Sequence, residues 1–272
     1  MVFSTAVTPL PDEDLAEPCG YELTLLDPSR VVRGVWVVFD RGRDMQRYYG
    51  DPEVQSFART QDLALMLAFH CRSKLYADVD VDPTKGIGRA LFAALRQLAQ
   101  TSHHPELAST KVILLGFSGT GVLAARFPQF DPDRVLAVIP TGAGQFDPLG
   151  LDTIDLSPQA ATVPQMIITG SADAVSGTSR PYAYFRKYFD QGAPWVFVTQ
   201  NTIPHCCAIN AKGLVLQWLE LILRGPRTRT GGWYGFITRE PSRLDDCPNP
   251  RPVLVPPSCH AAHDTWVRPT YW

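Results

Sequence analysis

Short apolar runs alternate along the chain with polar turns and with stretches of helical period. Tyr21 to Leu26 alternates and predicts an early strand. Val31 to Phe39 (VVRGVWVVF), β-branched and aromatic, predicts a central one. The polar stretch Asp40-Arg41-Gly42-Arg43-Asp44 follows as a turn-rich loop. Pro52 to Ala64 predicts a helix, with Asp51 as its N-cap and Pro52 at its first position. Leu63 to Phe69 is the next apolar run, a strand by its end, followed by His70 and Cys71. Asp82-Pro83 opens a helix in which Ile87, Leu91, Leu95 and Leu98 share one face. Four branched apolar residues, Val112 to Leu115, predict a buried strand that runs into Gly116-Phe117-Ser118-Gly119 and then a small-residue helix. Val135 to Ile139, Gln165 to Thr169 and Trp195 to Thr199 are further strands. Arg180 to Phe189 and about Ile209 to Leu223 carry helical patterns.

Strands alternating with helices predict an α/β protein with a mostly parallel central sheet and helices on both faces. In such sheets the functional groups gather at the carboxyl ends of the strands. Ser118, Asp173 and His205 all fall at such ends. The character changes from Pro226 on, where eight prolines and three tryptophans (Trp233, Trp266 and Trp272) fall in the final 47 residues. Proline removes the backbone donor that a long helix needs. The chain therefore divides into a main domain over 1–225 and an irregular, Pro-rich extension over 226–272, expected to pack on that domain with at most a short hairpin.

The stretch from Lys111 to Arg126 carries the chemistry. A strand, a one-residue corner at Ser118 and a helix form the context of a nucleophile elbow, and the glycines beside the corner leave room for a strained turn. The fifth position of the usual G-x-S-x-G pattern is Thr120 here, with Gly121 one place late. A serine hydroxyl needs an adjacent base, and that base needs an orienting group. The chain supplies Ser118, Asp173 and His205 in that order, 55 and 32 residues apart. Asp147 competes with Asp173 for the acidic role.

On Gly116-Phe117-Ser118-Gly119 after one strand, Gly170-Ser171-Ala172-Asp173 after another and Pro204-His205 after the last, the sequence resembles the α/β-hydrolase superfamily from about Tyr21 to Leu223. It is also similar to bacterial esterases of the carbohydrate-esterase and polyester-depolymerase kind. The resemblance implies that fold, without a large cap between the late strands, and cleavage of carboxylic esters through an acyl-enzyme with no cofactor. It makes Ser118 the nucleophile, His205 the general base and Asp173 its orienting partner. The backbone N–H of Gly119 becomes one oxyanion donor. The second falls in the loop after the Val31 to Phe39 strand, on Arg41 with Asp40 next; the His-Gly that usually opens this loop is absent. Asp40 and Phe117 are expected to touch substrate. Aromatic residues such as Phe117, Tyr182, Tyr184, Trp233 and Tyr234 fit either an open groove for an acylated sugar, a feruloyl-type ester or a polyester segment, or simply core. Related readings are an acyltransferase or peptidase on the same fold, or a silent binding protein.

A formal charge of −2 provides no field for nucleic acid or an anionic membrane. No run approaches the roughly 18 apolar residues of a membrane span. Met1 to Glu17 is acidic and lacks an apolar signal core, so the protein is expected to be cytoplasmic or to have lost a leader. The six cysteines form no C-x-x-C pair, which argues against zinc ribbons and redox motifs. Cys247 and Cys259 are the most plausible disulfide pair, the others being paired or buried thiols, and the balance leans to a secreted or periplasmic protein. Either of the adjacent Cys206 and Cys207 is a candidate to tie the His205 loop to the extension. Gly142-Ala143-Gly144 is no dinucleotide fingerprint, Thr84 to Gly88 is no P-loop, and Cys259 to Asp264 lacks a second cluster of metal ligands. His103 and His104 read as surface residues; His70 reads as structural or as pocket lining. No metal is expected.

Overall fold

The computed structural model describes residues 1–74, 82–143, 154–200 and 202–224 with side chains, and 265–268 as backbone. Among these residues nine strands form one sheet: β1 (Val2–Val7), β2 (Cys19–Thr24), β3 (Gly34–Phe39), β4 (Leu63–Phe69), β5 (Val112–Phe117), β6 (Val135–Thr141), β7 (Gln165–Gly170), β8 (Trp195–Gln200) and β9 (Thr265–Arg268). Their spatial order is β1-β2-β4-β3-β5-β6-β7-β8-β9. From β4 through β8 every neighbouring pair is parallel, whereas β1, β2 and β9 join antiparallel. The mostly parallel sheet predicted from the alternation is therefore present.

Every residue of β3 and β8 is buried, as a sheet covered on both faces requires. Successive side chains point to opposite faces. Val35 and Val37 accordingly pack with α3 (Ile87–Thr101) and α4 (Gly119–Phe130), while Trp36 and Val38 pack with α1 (Arg43–Gly50), α2 (Pro52–Thr60) and α7 (Lys212–Leu223). The stripe Ile87, Leu91, Leu95 and Leu98 is fully buried, which is what its spacing predicted. A third cluster sets α6 (Ser179–Phe189) against β7 and β8 through Tyr184, Phe185, Tyr188, Trp195 and Phe197. A short α5 (Pro158–Ala161) precedes β7.

Several boundaries differ from the sequence reading. The polar stretch after β3 is a loop only to Gly42, and α1 begins at Arg43. Its apolar content is two buried residues, Met45 and Tyr48, too few to register as a periodic run. The second helix stops at Thr60, since Leu63 already belongs to β4. Asp51 does cap it, accepting from the amides of Glu53 and Val54. The N-terminal β1 was not anticipated. It is an edge strand, mostly exposed, and reveals itself through pairing with β2 rather than through hydrophobicity.

Of the extension only β9 is described, and it adds to the sheet beside β8. Asp147, Trp233, Tyr234, Cys247, Cys259 and the Cys259 to Asp264 stretch lie outside the described residues. Cys19 and Cys71 are bonded to each other across the ends of β2 and β4. Cys206 and Cys207 are likewise bonded to each other, so neither ties the loop to the extension.

Candidate active site

The corner at Ser118 is a strained one. Its φ of 55° and ψ of −120° place a non-glycine residue in a region that L side chains avoid, between the last residue of β5 and the first of α4. Gly116 permits the sharp return: a Cβ there would lie 2.1 Å from the carbonyl oxygen of Thr120. Strand and helix pass too closely for any side chain between them. Thr120 has its own function at this turn. Its hydroxyl accepts from Phe117 N–H at 3.0 Å and donates to Phe117 C=O at 2.9 Å, latching the residue just before the corner. Gly121 supplies the close contact of the helix with the end of β6, where a Cβ would meet Thr141 O at 3.0 Å and Ala143 Cβ at 2.9 Å. The displaced glycine and the threonine thus divide the packing and bracing of the turn between them.

The structure brings the three expected residues together. His205 Nε2 lies 3.2 Å from Ser118 Oγ, and His205 Nδ1 lies 2.8 Å from Asp173 Oδ2. Asp173 is almost wholly buried, its side chain 1% exposed, while His205 keeps 19%. The other carboxylate oxygen, Oδ1, accepts from Val175 N–H at 2.9 Å and Ser176 N–H at 2.8 Å, so the loop itself orients the acid. The loops after β7 and β8 are stitched by Ala172 N–H to Ile203 O at 3.0 Å and by Thr202 N–H to Ser171 Oγ at 2.7 Å. These bonds hold Asp173 and His205 in one frame. The ring of Phe117 lies against the imidazole, with centroids 4.8 Å apart.

Gly119 is the first residue of α4, a position whose N–H has no acceptor within the helix. Across the sheet, Asp40 N–H donates to Ala68 O at 2.8 Å, so the amide of Asp40 is already spent. The Asp40 carboxylate is also engaged, taking Gly42 N–H and Gln46 Nε2 at 3.2 Å each; it braces the loop after β3. Tyr182 and Tyr184 are buried in the third core cluster, so for these two the core alternative holds and the groove alternative fails. His70 is exposed beside Glu17, and His104 pairs with Glu106. Among the described residues no cluster of three or more His, Cys, Asp or Glu side chains is placed to hold a metal ion.

Two participants escaped the sequence reading. Asp44, in the first turn of α1, accepts from Ala208 N–H at 2.7 Å and joins the loop after β3 to the loop carrying His205. Burial pushes its carboxyl up, against the lowering pull of the Ala208 and Ile209 amides and of Arg47. Ser176 reaches His205 Nδ1 at 3.2 Å. The only sequence signal for it is its place three residues after Asp173, where a side-chain acceptor organises the following turn.

No protein-family model and no curated protein matches the chain. Solved structures do. A ferulic acid esterase superposes with a TM-score of 0.56 at 11% identity, covering 82% of this chain and 98% of its own. An α/β serine hydrolase without a lid from Xanthomonas campestris gives 0.50 at 17% identity, covering 83% of this chain and 96% of its own. The chain has the α/β-hydrolase fold. The S-formylglutathione hydrolase of Staphylococcus aureus is also similar, with a TM-score of 0.50 at 12% identity, 82% of this chain and 98% of its own. In an α/β-hydrolase sheet the strand-to-helix corner presents its serine at the carboxyl edge, which is where Ser118 stands.

Proposed function

We propose that the protein is a serine hydrolase that cleaves carboxylic esters through an acyl-enzyme. The observation that carries this reading is the continuous line Ser118 Oγ, His205 Nε2, His205 Nδ1, Asp173 Oδ2, with steps of 3.2 Å and 2.8 Å, set on a strained corner. The bridging imidazole of His205 sets one nitrogen against the hydroxyl and the other against a buried carboxylate. In the acylation step Ser118 Oγ attacks the ester carbonyl carbon while its proton passes to Nε2. The tetrahedral intermediate then collapses, the C–O bond to the alcohol breaks, and the alcohol leaves with the proton from Nε2. Water repeats the sequence on the acyl-enzyme and releases the acid.

The developing oxyanion is taken by Gly119 N–H and, from the loop after β3, by Arg41 N–H. The amide of Asp40 is engaged with Ala68 O, which counts against Asp40 as that donor. Loss of one such donor costs about 2.7–4 kcal/mol of barrier. Phe117 lies beside the imidazole, which supports its contact with the acyl group. The likeness to a ferulic acid esterase and to a hydrolase without a lid supports an accessible ester, such as a feruloyl-type ester, an acylated sugar or a polyester segment. The Cys19–Cys71 bridge supports residence in an oxidising compartment.

The test is active-site labelling with a fluorophosphonate, followed by hydrolysis of short p-nitrophenyl esters against matched anilides. Labelling abolished by Ser118→Ala and by His205→Ala, with esters turned over and anilides not, is the expected pattern. A Ser118→Ala protein that still hydrolyses esters refutes the assignment.

A further inference from the structure

His205 Nδ1 has two neighbours rather than one. Asp173 Oδ2 lies 2.8 Å away and Ser176 Oγ 3.2 Å away. A serine hydroxyl has a single proton, and Ser176 has a better use for it: Oγ donates to Gly142 O at 2.6 Å. Oγ therefore turns a lone pair towards Nδ1. A carboxylate oxygen and a hydroxyl lone pair facing the same nitrogen leave that nitrogen one role, to carry the proton. Nε2 is then the bare nitrogen opposite Ser118 Oγ.

The position of Ser176 is fixed from two sides. Its own N–H is held by Asp173 Oδ1 at 2.8 Å, and its hydroxyl by the carbonyl of Gly142, whose N–H donates to Ile168 O at 2.8 Å. The serine therefore joins the ends of β6 and β7 and presents the junction to the imidazole on the loop after β8. Phe117 closes against the ring. We propose that Ser176 is a positioning residue for His205: its hydroxyl, oriented by Gly142 O, accepts jointly with Asp173 from Nδ1–H and so fixes the tautomer and the ring plane that Ser118 requires. The inference deepens the serine-hydrolase reading and rests on it for the role of His205, but its geometry can be tested separately.

The substrate need not be known for the test, since fluorophosphonate labelling of Ser118 requires the base but no specific ester. The second-order labelling rate is measured for wild type, Ser176→Ala and Ser176→Thr. The Nδ1–H proton resonance of His205 is followed in the same proteins by NMR with 15N-labelled histidine. Losing one acceptor to a proton that becomes charged in the transition state corresponds to about tenfold. Ser176→Ala should label about tenfold more slowly with its Nδ1–H signal shifted upfield or broadened. Ser176→Thr, which keeps the hydroxyl, should stay within about threefold of wild type. Wild-type labelling in Ser176→Ala with an unmoved signal overturns the proposal, as does a threonine variant as slow as the alanine one. If the alanine variant fails to fold, Ser176→Cys takes its place, since a thiol accepts only weakly: slower labelling with a shifted Nδ1–H signal supports the proposal, and wild-type values, or a wild-type His205 protonated on Nε2, overturn it. Absence of labelling in the wild type would instead refute the hydrolase reading, and the shift of the Nδ1–H signal between wild type and the Ser176 variants would still decide whether Ser176 orients the ring.

Discussion

Replacing Gly116 by alanine would put a methyl carbon 2.1 Å from Thr120 O, 2.4 Å from Thr120 C and 2.8 Å from Gly121 N. Unstrained C···O approaches run to about 3.3–3.6 Å, so the overlap exceeds about 1 Å. The opposing atoms are backbone, and no rotamer change relieves them. Overpacking of this kind costs about 1–3 kcal/mol when side chains can yield, and here the upper end or more is expected. At about 2–4 °C per kcal/mol for a domain of this size, Gly116→Ala should melt about 6–12 °C below wild type. The helix must retreat from the strand, turning Gly119 N–H out of line with the carbon that Ser118 Oγ attacks. A displacement of about 1 Å at reacting groups is worth about a hundredfold in rate. Calorimetry paired with the fluorophosphonate labelling rate reads both effects. The internal control is Gly213→Ala in α7, where a Cβ meets nothing within 4 Å; that variant should gain about 0.5–1 kcal/mol from helix propensity and label normally. A Gly116→Ala protein as stable and as fast as wild type would refute the argument that strand and helix touch at this point.

Two other outcomes follow from the structure. Asp51 caps α2 and takes Lys212 Nζ of α7 at 2.9 Å and 2.8 Å. Burial alone would raise its carboxyl, but Lys212 and the Val54 and Glu53 amides outweigh it and hold the pKa below the ordinary 3.8. A lowered folded-state pKa contributes stability above the unfolded value that is lost as pH falls through the folded one. Asp51→Asn keeps a capping side chain and loses the ion pair. In urea titrations it should be less stable than wild type by about 1 kcal/mol near neutrality, with the gap narrowing as pH falls below 3.8 and through the lowered folded-state pKa; a gap independent of pH counts against the pairing. For the cysteines, peptide mapping without reduction should find Cys19 joined to Cys71, and a peptide holding Cys206 and Cys207 lighter by the mass of two thiol hydrogens and linked to nothing else. Any cross-link from that peptide to Cys247 or Cys259 contradicts the vicinal bond.

Periodicity was enough to predict the sheet, the buried helical stripe and the strand ends on which Ser118, Asp173 and His205 lie, because each depends on local pattern. The apolar runs of β3 to β8 are continuous since both faces are covered, and Ile87, Leu91, Leu95 and Leu98 recur at helical spacing since only one face of α3 is buried. Ser118, Asp173 and His205 were legible because strands end where their apolar runs end. What tertiary structure decided is everything that depends on which strand ends become neighbours. Tyr182 and Tyr184 fit either groove or core in sequence, and the packing of α6 against β7 and β8 decides for core. The Cys19–Cys71 bond exists because β2 and β4 are adjacent in the sheet, though 52 residues separate the cysteines. Asp44 and Ser176 have no spacing that marks them; they matter because α1 meets the loop after β8, and because the ends of β6, β7 and β8 converge on one imidazole. A residue's type states what it can donate or accept, and the order of the strands in the sheet decides to whom.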